Sequence, residues 1–383
     1  MTRIPVIRAL WLCYGGMICV AMASSLTPVY FTTFSAVFGL SEEQLGRIAA
    51  VTFAGFVAGV VCSGPLADRF GMKPFAMLGL ALVAAGLALL GSARNYAMIL
   101  GAAALMGFGA GVLDMVLSPI VSALRPEQRT SALNWLHSFY CTGAVATVLV
   151  GTLPFRLGVS WRVAALALAA FPVAVCWGFW RMDVPALAHE SAEPGHFAAL
   201  LRRPAFLAAL LCIFLTGATE MGMAQWLPAY AERGLGFGKA TGGLALAGFS
   251  VGMALGRILA GSAGHWVRPR LLMAACGALT LAMYAGGCLL PWPAAALASC
   301  MLVGFTGSCL WPTTLAVTAD LFPRGGAIMF AALAASGNLG CFVMPWVIGA
   351  VADTSNLRWG LGLNALCPLL IVAATWAIRE RHR

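Results

Sequence analysis

Charge is scarce in this sequence. Of its 383 residues only 9% are Asp, Glu, Lys or Arg, while 61% are hydrophobic, against roughly 25% charged and 45–50% apolar in soluble domains. That deficit excludes a water-soluble globular fold. No P-loop, HExxH or GxSxG pattern occurs, and no hydrophilic stretch is long enough to form a catalytic domain, so an enzyme is not expected. A sensor would need an output domain, which is equally missing. The twelve cysteines fall inside apolar runs without a CxxC pair or a Cys/His cluster. They read as small core residues, and neither a metal framework nor a cofactor is expected. Period-two alternation is absent as well, which argues against membrane strands.

What is present is long apolar runs. At about 20 residues per bilayer crossing, the chain has room for about a dozen transmembrane helices and little else. Unbroken runs lie near 9–37, 46–67, 74–92, 97–122, 131–153 and 162–181, and again near 205–231, 240–263, 270–290, 294–319, 326–351 and 358–378. Arg3 and Arg8 ahead of an apolar run, with Ala21-Met22-Ala23 behind it, imitate a secretory signal. The run continues to Val37, however, so the segment reads as the first crossing.

The net charge of +10 would suggest nucleic acid in a soluble chain, but here the basic residues sit between apolar runs and no nucleic-acid partner is expected. With the N-terminus inside, fifteen Lys and Arg fall in inner segments and seven in outer loops, an excess that places both termini in the cytoplasm. The most hydrophilic stretch divides the chain into an N-terminal six-helix bundle (1–181), a cytoplasmic linker (182–204) and a C-terminal six-helix bundle (205–383). An internal repeat supports the division. The loop Gly64-Pro65-Leu66-Ala67-Asp68-Arg69-Phe70-Gly71-Met72-Lys73-Pro74 has a faded counterpart at Ala260 to Arg270, as parallel repeats of one unit require.

The Gly-x-Leu-x-Asp-Arg-x-Gly-x-Lys loop resembles the signature of the major facilitator superfamily, and the resemblance spans essentially the whole chain. Within that superfamily, three segments are similar to the fucose/galactose/glucose:proton symporter group. They are Gly109 to Pro119, which contains Asp114; Leu133-Asn134 with Phe139 and Gly143-Ala144; and Trp311-Pro312-Thr313-Thr314 together with Met344 to Asp353. The first helix departs from that group in having no carboxylate. The resemblance implies an all-α membrane protein of twelve transmembrane helices in two six-helix bundles related by pseudo-two-fold symmetry, with solute bound between the halves. It also implies that the 64–73 loop (Gly64, Asp68, Arg69, Gly71, Lys73) latches one face shut.

Charge inside hydrocarbon costs about 2.5–3.5 kcal/mol per group, so buried ionisable residues need a reason. Asp114 and His137 fall at similar depth on successive helices, where a carboxylate near an imidazole suits proton exchange. Glu220 lies near the middle of the seventh helix, and these three are the expected ion-coupling groups. Gln225 and Trp226 offer an amide and an aromatic face to a polyhydroxylated ring. Asn134, Thr313 and Asn338 offer hydrogen bonds, with Tyr140 and Trp311 as further solute contacts. Arg257 closes Gly248-x-x-x-Gly252-x-x-x-Gly256-Arg257; near the inner end of its helix it is expected to snorkel to water and act in gating. Gly55-x-x-x-Gly59 and Gly107-x-x-x-Gly111 read as close-packing seams.

The expected protein is therefore a monomeric secondary transporter in a bacterial inner membrane. Its partners are the lipid bilayer, a small polar solute such as a monosaccharide, and a coupling ion, H+ or Na+. An exporter of lipophilic or cationic compounds is the alternative, suited by two acids among many Met and Phe side chains.

Overall fold

The computed structural model describes residues 3–125, 129–182, 200–263, 267–322 and 326–377. Twelve helices among them are long and apolar enough to cross a membrane. In chain order they are α1 (Val6–Phe38), α2 (Glu42–Gly64), α3 (Met72–Gly91), α4 (Tyr96–Leu124), α5 (Trp135–Leu157), α6 (Trp161–Trp180), α7 (Pro204–Gly234), α8 (Lys239–Ala260), α9 (Pro269–Leu289), α10 (Pro293–Leu321), α11 (Met329–Thr354) and α12 (Leu357–Thr375). Each matches an apolar run. Helices satisfy their own backbone groups, which is the condition for lying in lipid.

Several crossings are broken in ways the apolar runs do not reveal. In α1 a 3-10 turn at Thr27–Tyr30 separates Arg3–Ser25 from Phe31–Phe38, and Pro28 opens that turn because it has no N–H to donate. A turn at Ser308 and Cys309 divides α10 into Pro293–Gly307 and Leu310–Leu321. The C-terminal end of α7 widens into a π turn at Tyr230–Gly234.

By internal contacts the chain divides into two units: Met1–Leu40 with Ile48–His189, and Ser41–Arg47 with Glu190–Arg383. In the first unit α1 packs on α4 and α5, and α3 on α4 and α6. In the second, α7 packs on α11, and α9 on α10 and α12. The same pairing thus recurs in each, as expected of one repeated unit. Most of the segment read as a linker, 183–199, lies outside the described residues.

Glycines set the closest approaches. A Cβ on Gly55 would lie 2.8 Å from Ala104 O, and one on Gly59 would lie 3.0 Å from Val112 N, while Gly107 and Gly111 abut Thr52 and Phe56 backbone in return. The two small-residue spacings read as close-packing seams therefore meet each other, α2 against α4. In the second unit Gly252 and Gly256 face Phe305 and Ser308 of α10. Large apolar side chains such as Leu166, Val173, Trp177 and Leu370 remain exposed, a surface that water would penalise and a bilayer covers. The protein is an integral membrane protein. Of the twelve cysteines, nine are buried, Cys176 and Cys276 are half-buried and Cys62 is exposed.

Candidate functional site

In the first unit, Asp114 stands half-buried on α4. Five residues on, Pro119 lies inside the continuous helix, so the Met115 carbonyl loses its usual helical donor one residue from the acid. His137, on α5, is exposed and interacts electrostatically with Asp114. The structure thus brings together the two groups that the sequence places at similar depth. Tyr140 is half-buried, its hydroxyl 3.0 Å from Ser24 Oγ. Ser24 gives its proton to Ala21 O at 3.2 Å, which leaves Tyr140 as the donor of that pair. Phe139 stacks on Tyr14 of α1, with centroids 4.5 Å apart and planes 6° from parallel. The side chains of Asn134 and Asp68 lie outside the described residues.

The 64–73 segment, read from the sequence as a loop, is instead helical through Phe70, and Gly71 alone separates it from the helix that opens at Met72. Gly71 has φ +91°, which disfavours any side chain there, and it donates its N–H to Ala67 O at 2.8 Å. Lys73 Nζ donates to Trp180 O at 3.1 Å, Arg69 sits over the Phe70 ring at 5.3 Å, and Gly64 is buried.

In the second unit four helices converge on Glu220. Its side chain is only 6% exposed, and its Oε2 lies 3.5 Å from Arg257 Nη2 on α8. The thiols of Cys309, at the α10 break, and Cys341, on α11, interact electrostatically with it. Its other oxygen, Oε1, is buried without a hydrogen-bond partner. Arg257 was expected to reach toward water and does so only in part. Its side chain is 31% exposed while its guanidinium turns to Glu220, so the buried carboxylate is not left as an uncompensated charge.

Elsewhere in the second unit, Trp311 is half-buried and its ring covers Gly337, where a Cβ has no room. The adjacent Asn338 is half-buried and donates Nδ2 to Ala334 O at 2.9 Å. Thr313 is half-buried and Gln225 buried. Trp226 is fully buried, and its indole N–H donates to Pro345 O at 2.8 Å, so its ring edge braces α11. Beside Glu220, Tyr284 donates to Thr219 O at 2.7 Å while Asn364 Nδ2 reaches Ala218 O at 3.1 Å and the Tyr284 hydroxyl at 2.7 Å. The sequence reading missed this buried network; an Asn and a Tyr inside apolar runs were its only signal.

A further cluster also escaped it. The α2 N-terminus, residues 41–47, belongs to the second unit, and every early donor there is accounted for. Asp353, at the end of α11, accepts from Glu42 N at 2.7 Å and Glu43 N at 2.9 Å. Ser41 and Gln44 form a reciprocal capping box at 3.0 and 3.3 Å. Arg233 pairs with Glu42, and Trp346 donates its indole N–H to Glu43. The Ser41-x-x-Gln44 pattern was a legible signal; the acid 311 residues away was not.

Comparison with known proteins follows the same lines. The Major Facilitator Superfamily profile matches residues 13–305 and 233–383. The chain is 24% identical to "Membrane protein MosC" of Rhizobium meliloti over 96% of this chain and 88% of the relative. It is 27% identical to "Probable nitrate/nitrite transporter NarK2" of Mycobacterium tuberculosis over 90% of this chain and 89% of that one. The crystal structure of a Major Facilitator Superfamily transporter, FucP, in the outward conformation superposes with a TM-score of 0.65 at 20% identity, covering 98% of this chain and all of that one.

Proposed function

This chain belongs to the Major Facilitator Superfamily, and from that membership we propose an ion-coupled transporter that imports a small polar solute, of the sugar class, with a proton. It is a transporter and not an enzyme, and its family binds small molecules and draws on membrane ion gradients. In our reading Asp114, poised by His137, and Glu220 exchange the driving proton. Gln225, Thr313, Asn338 and Asn134 read the hydroxyls of the solute, with Tyr140, Trp226 and Trp311 as its aromatic surround. Both termini face the cytoplasm of a bacterial inner membrane, and Gly64, Asp68, Arg69, Gly71 and Lys73 latch the inner loop during alternating access.

The observation that carries this reading is the placement of Asp114 and Glu220 in the interior of membrane-crossing helices, away from their ends, Glu220 with a buried oxygen that no protein donor reaches. Each costs about 2.5–3.5 kcal/mol in hydrocarbon, and a fold retains such a cost where protonation and ligand exchange use it. Occupation must also bind one conformation better than another, because only differential affinity shifts an equilibrium.

The test is counterflow of radiolabelled monosaccharides in proteoliposomes, run beside efflux of a lipophilic cationic dye. Saturable sugar counterflow without dye efflux supports the proposal. Dye efflux without sugar counterflow replaces it with multidrug export.

A further inference from the structure

In the first unit the start of α3 and the end of α6 lie side by side. Lys73, in the first turn of α3, donates from Nζ to Trp180 O at 3.1 Å. The Arg181 guanidinium lies 4.5 Å from the centroid of the Trp177 ring, and the Trp177 and Trp180 rings stand 5.0 Å apart. Because the Trp180 carbonyl adjoins Arg181, the ammonium is within about 6 Å of the Arg181 Cα. Both cations are thus held at one helix end by uncharged partners, a carbonyl and a π face. Among the described residues no carboxylate pairs with either, and Arg181 makes no side-chain hydrogen bond. Lys73 keeps two of its three donors and Arg181 its whole fork. Nor do the helix ends neutralise them. The negative end of α6 is offset by the positive end of α3, whose first turn has no side-chain cap, so about two positive charges remain.

The rings beside these cations do not pack inward. Trp177 and Trp180 are 53% and 58% exposed, and with exposed Val173 they form an i, i+4, i+7 stripe on a helix long and apolar enough to cross a membrane. Exposed aromatic surface meeting unpaired positive charge at the end of a crossing is suited to the boundary between hydrocarbon and headgroups. The other end of α6 puts the same residue types to structural use. There Arg162 lies 4.6 Å from the Trp161 ring centroid, but that ring is only 5% exposed and Nη2 donates to Ala93 O at 2.8 Å.

We propose that the α3–α6 end binds an anionic phospholipid, its phosphate between the Lys73 ammonium and the Arg181 fork and an acyl chain along Val173, Trp177 and Trp180. A guanidinium and an ammonium suit a phosphate in complementary ways, the first as a bidentate fork and the second as a point charge. A zwitterionic lipid brings a cation of its own to a site that already holds two. Free phosphate would meet the same cations and leave the aromatic stripe unused. In the orientation proposed above this end faces the cytoplasmic leaflet, whose surface is the anionic one. The site is independent of the solute and of the coupling ion.

The test is native mass spectrometry of the purified full-length protein in detergent, titrated separately with phosphatidylglycerol, phosphatidylcholine and glycerol 3-phosphate. Phosphatidylglycerol should fill its first site about 25-fold more tightly than phosphatidylcholine, about fivefold for each cation. Glycerol 3-phosphate, which lacks the chains, should bind at least about tenfold more weakly than phosphatidylglycerol. The Lys73→Gln/Arg181→Gln double variant should bind the two lipids alike. Because Lys73→Gln also removes the ammonium bonded to Trp180 O, Arg181→Gln alone is measured beside it; it breaks no hydrogen bond and should lose about fivefold. Arg202→Gln, which removes an exposed charge elsewhere, should keep the preference. Equal affinity for the two lipids in the unmodified protein overturns the site. So does a preference that survives in the double variant, or one that Arg202→Gln weakens as much as Arg181→Gln. Glycerol 3-phosphate binding as tightly as phosphatidylglycerol overturns the lipid assignment.

Discussion

Replacing Asp353 by alanine should loosen the first turn of α2 from the end of α11, both within the second unit. The side chain accepts from two backbone donors, Glu42 N and Glu43 N, at 2.7 and 2.9 Å, and its negative charge faces the positive end of the helix dipole. Loss of an N-terminal cap costs about 0.5–2 kcal/mol, and loss of charge at an exposed helix start about 0.3–1 kcal/mol. Since the Ser41/Gln44 box remains to hold the Gln44 donor, a net loss of about 1–2 kcal/mol is expected, a factor of roughly 5–30 in the local opening equilibrium. Hydrogen exchange followed by mass spectrometry on the peptide spanning 41–47 reads this directly. Its amides should exchange faster by that factor in Asp353→Ala and by less in Asp353→Asn, which keeps an acceptor without the charge. Peptides within α9 should not change. Unaltered exchange at 41–47 in Asp353→Ala would refute the claim that this acid holds the turn.

Other positions give sharper structural tests. Gly111→Val puts a side chain against the Phe56 backbone, and overpacking of about 1–3 kcal/mol should lower the thermal unfolding midpoint and the yield of monodisperse protein. Tyr284→Phe removes the donor to Thr219 O and one partner of Asn364. Leaving buried polar groups underbonded should cost about 1–3 kcal/mol, seen as a lowered unfolding midpoint, whereas Leu279→Ala on the exposed side of the same helix should change it far less. Trp226→Phe deletes the bond to Pro345 O and should cost about 1 kcal/mol, with faster exchange in α11 around Pro345. No change there would mean that the indole does not brace that helix.

The twelve crossings were legible because hydrocarbon imposes one rule on every segment, a run of apolar residues about 20 long. The glycine seam at Gly55, Gly59, Gly107 and Gly111 was legible for a related reason: four-residue spacing keeps small residues on one helix face. Breaks were less so. Pro28 and Pro312 mark the interruptions in α1 and α10, yet a proline inside an apolar run also fits a kinked continuous helix, as Pro119 in α4 illustrates. Partners across the fold were not legible at all. Arg257 looked like a snorkelling end residue because nothing local to α8 announces Glu220 on another helix. Nothing local to Glu42, Glu43, Arg233 or Asp353 announces their partners for the same reason, because they are joined only by folding.

The central claim is that the acids within the membrane-crossing helices couple solute movement to protons. Proteoliposomes with an imposed inward proton gradient test it by comparing accumulation with counterflow for the unmodified protein, Asp114→Asn and Glu220→Gln. Coupling through these groups predicts that each variant still exchanges solute across the membrane while losing uphill accumulation. Undiminished accumulation in both variants would contradict it.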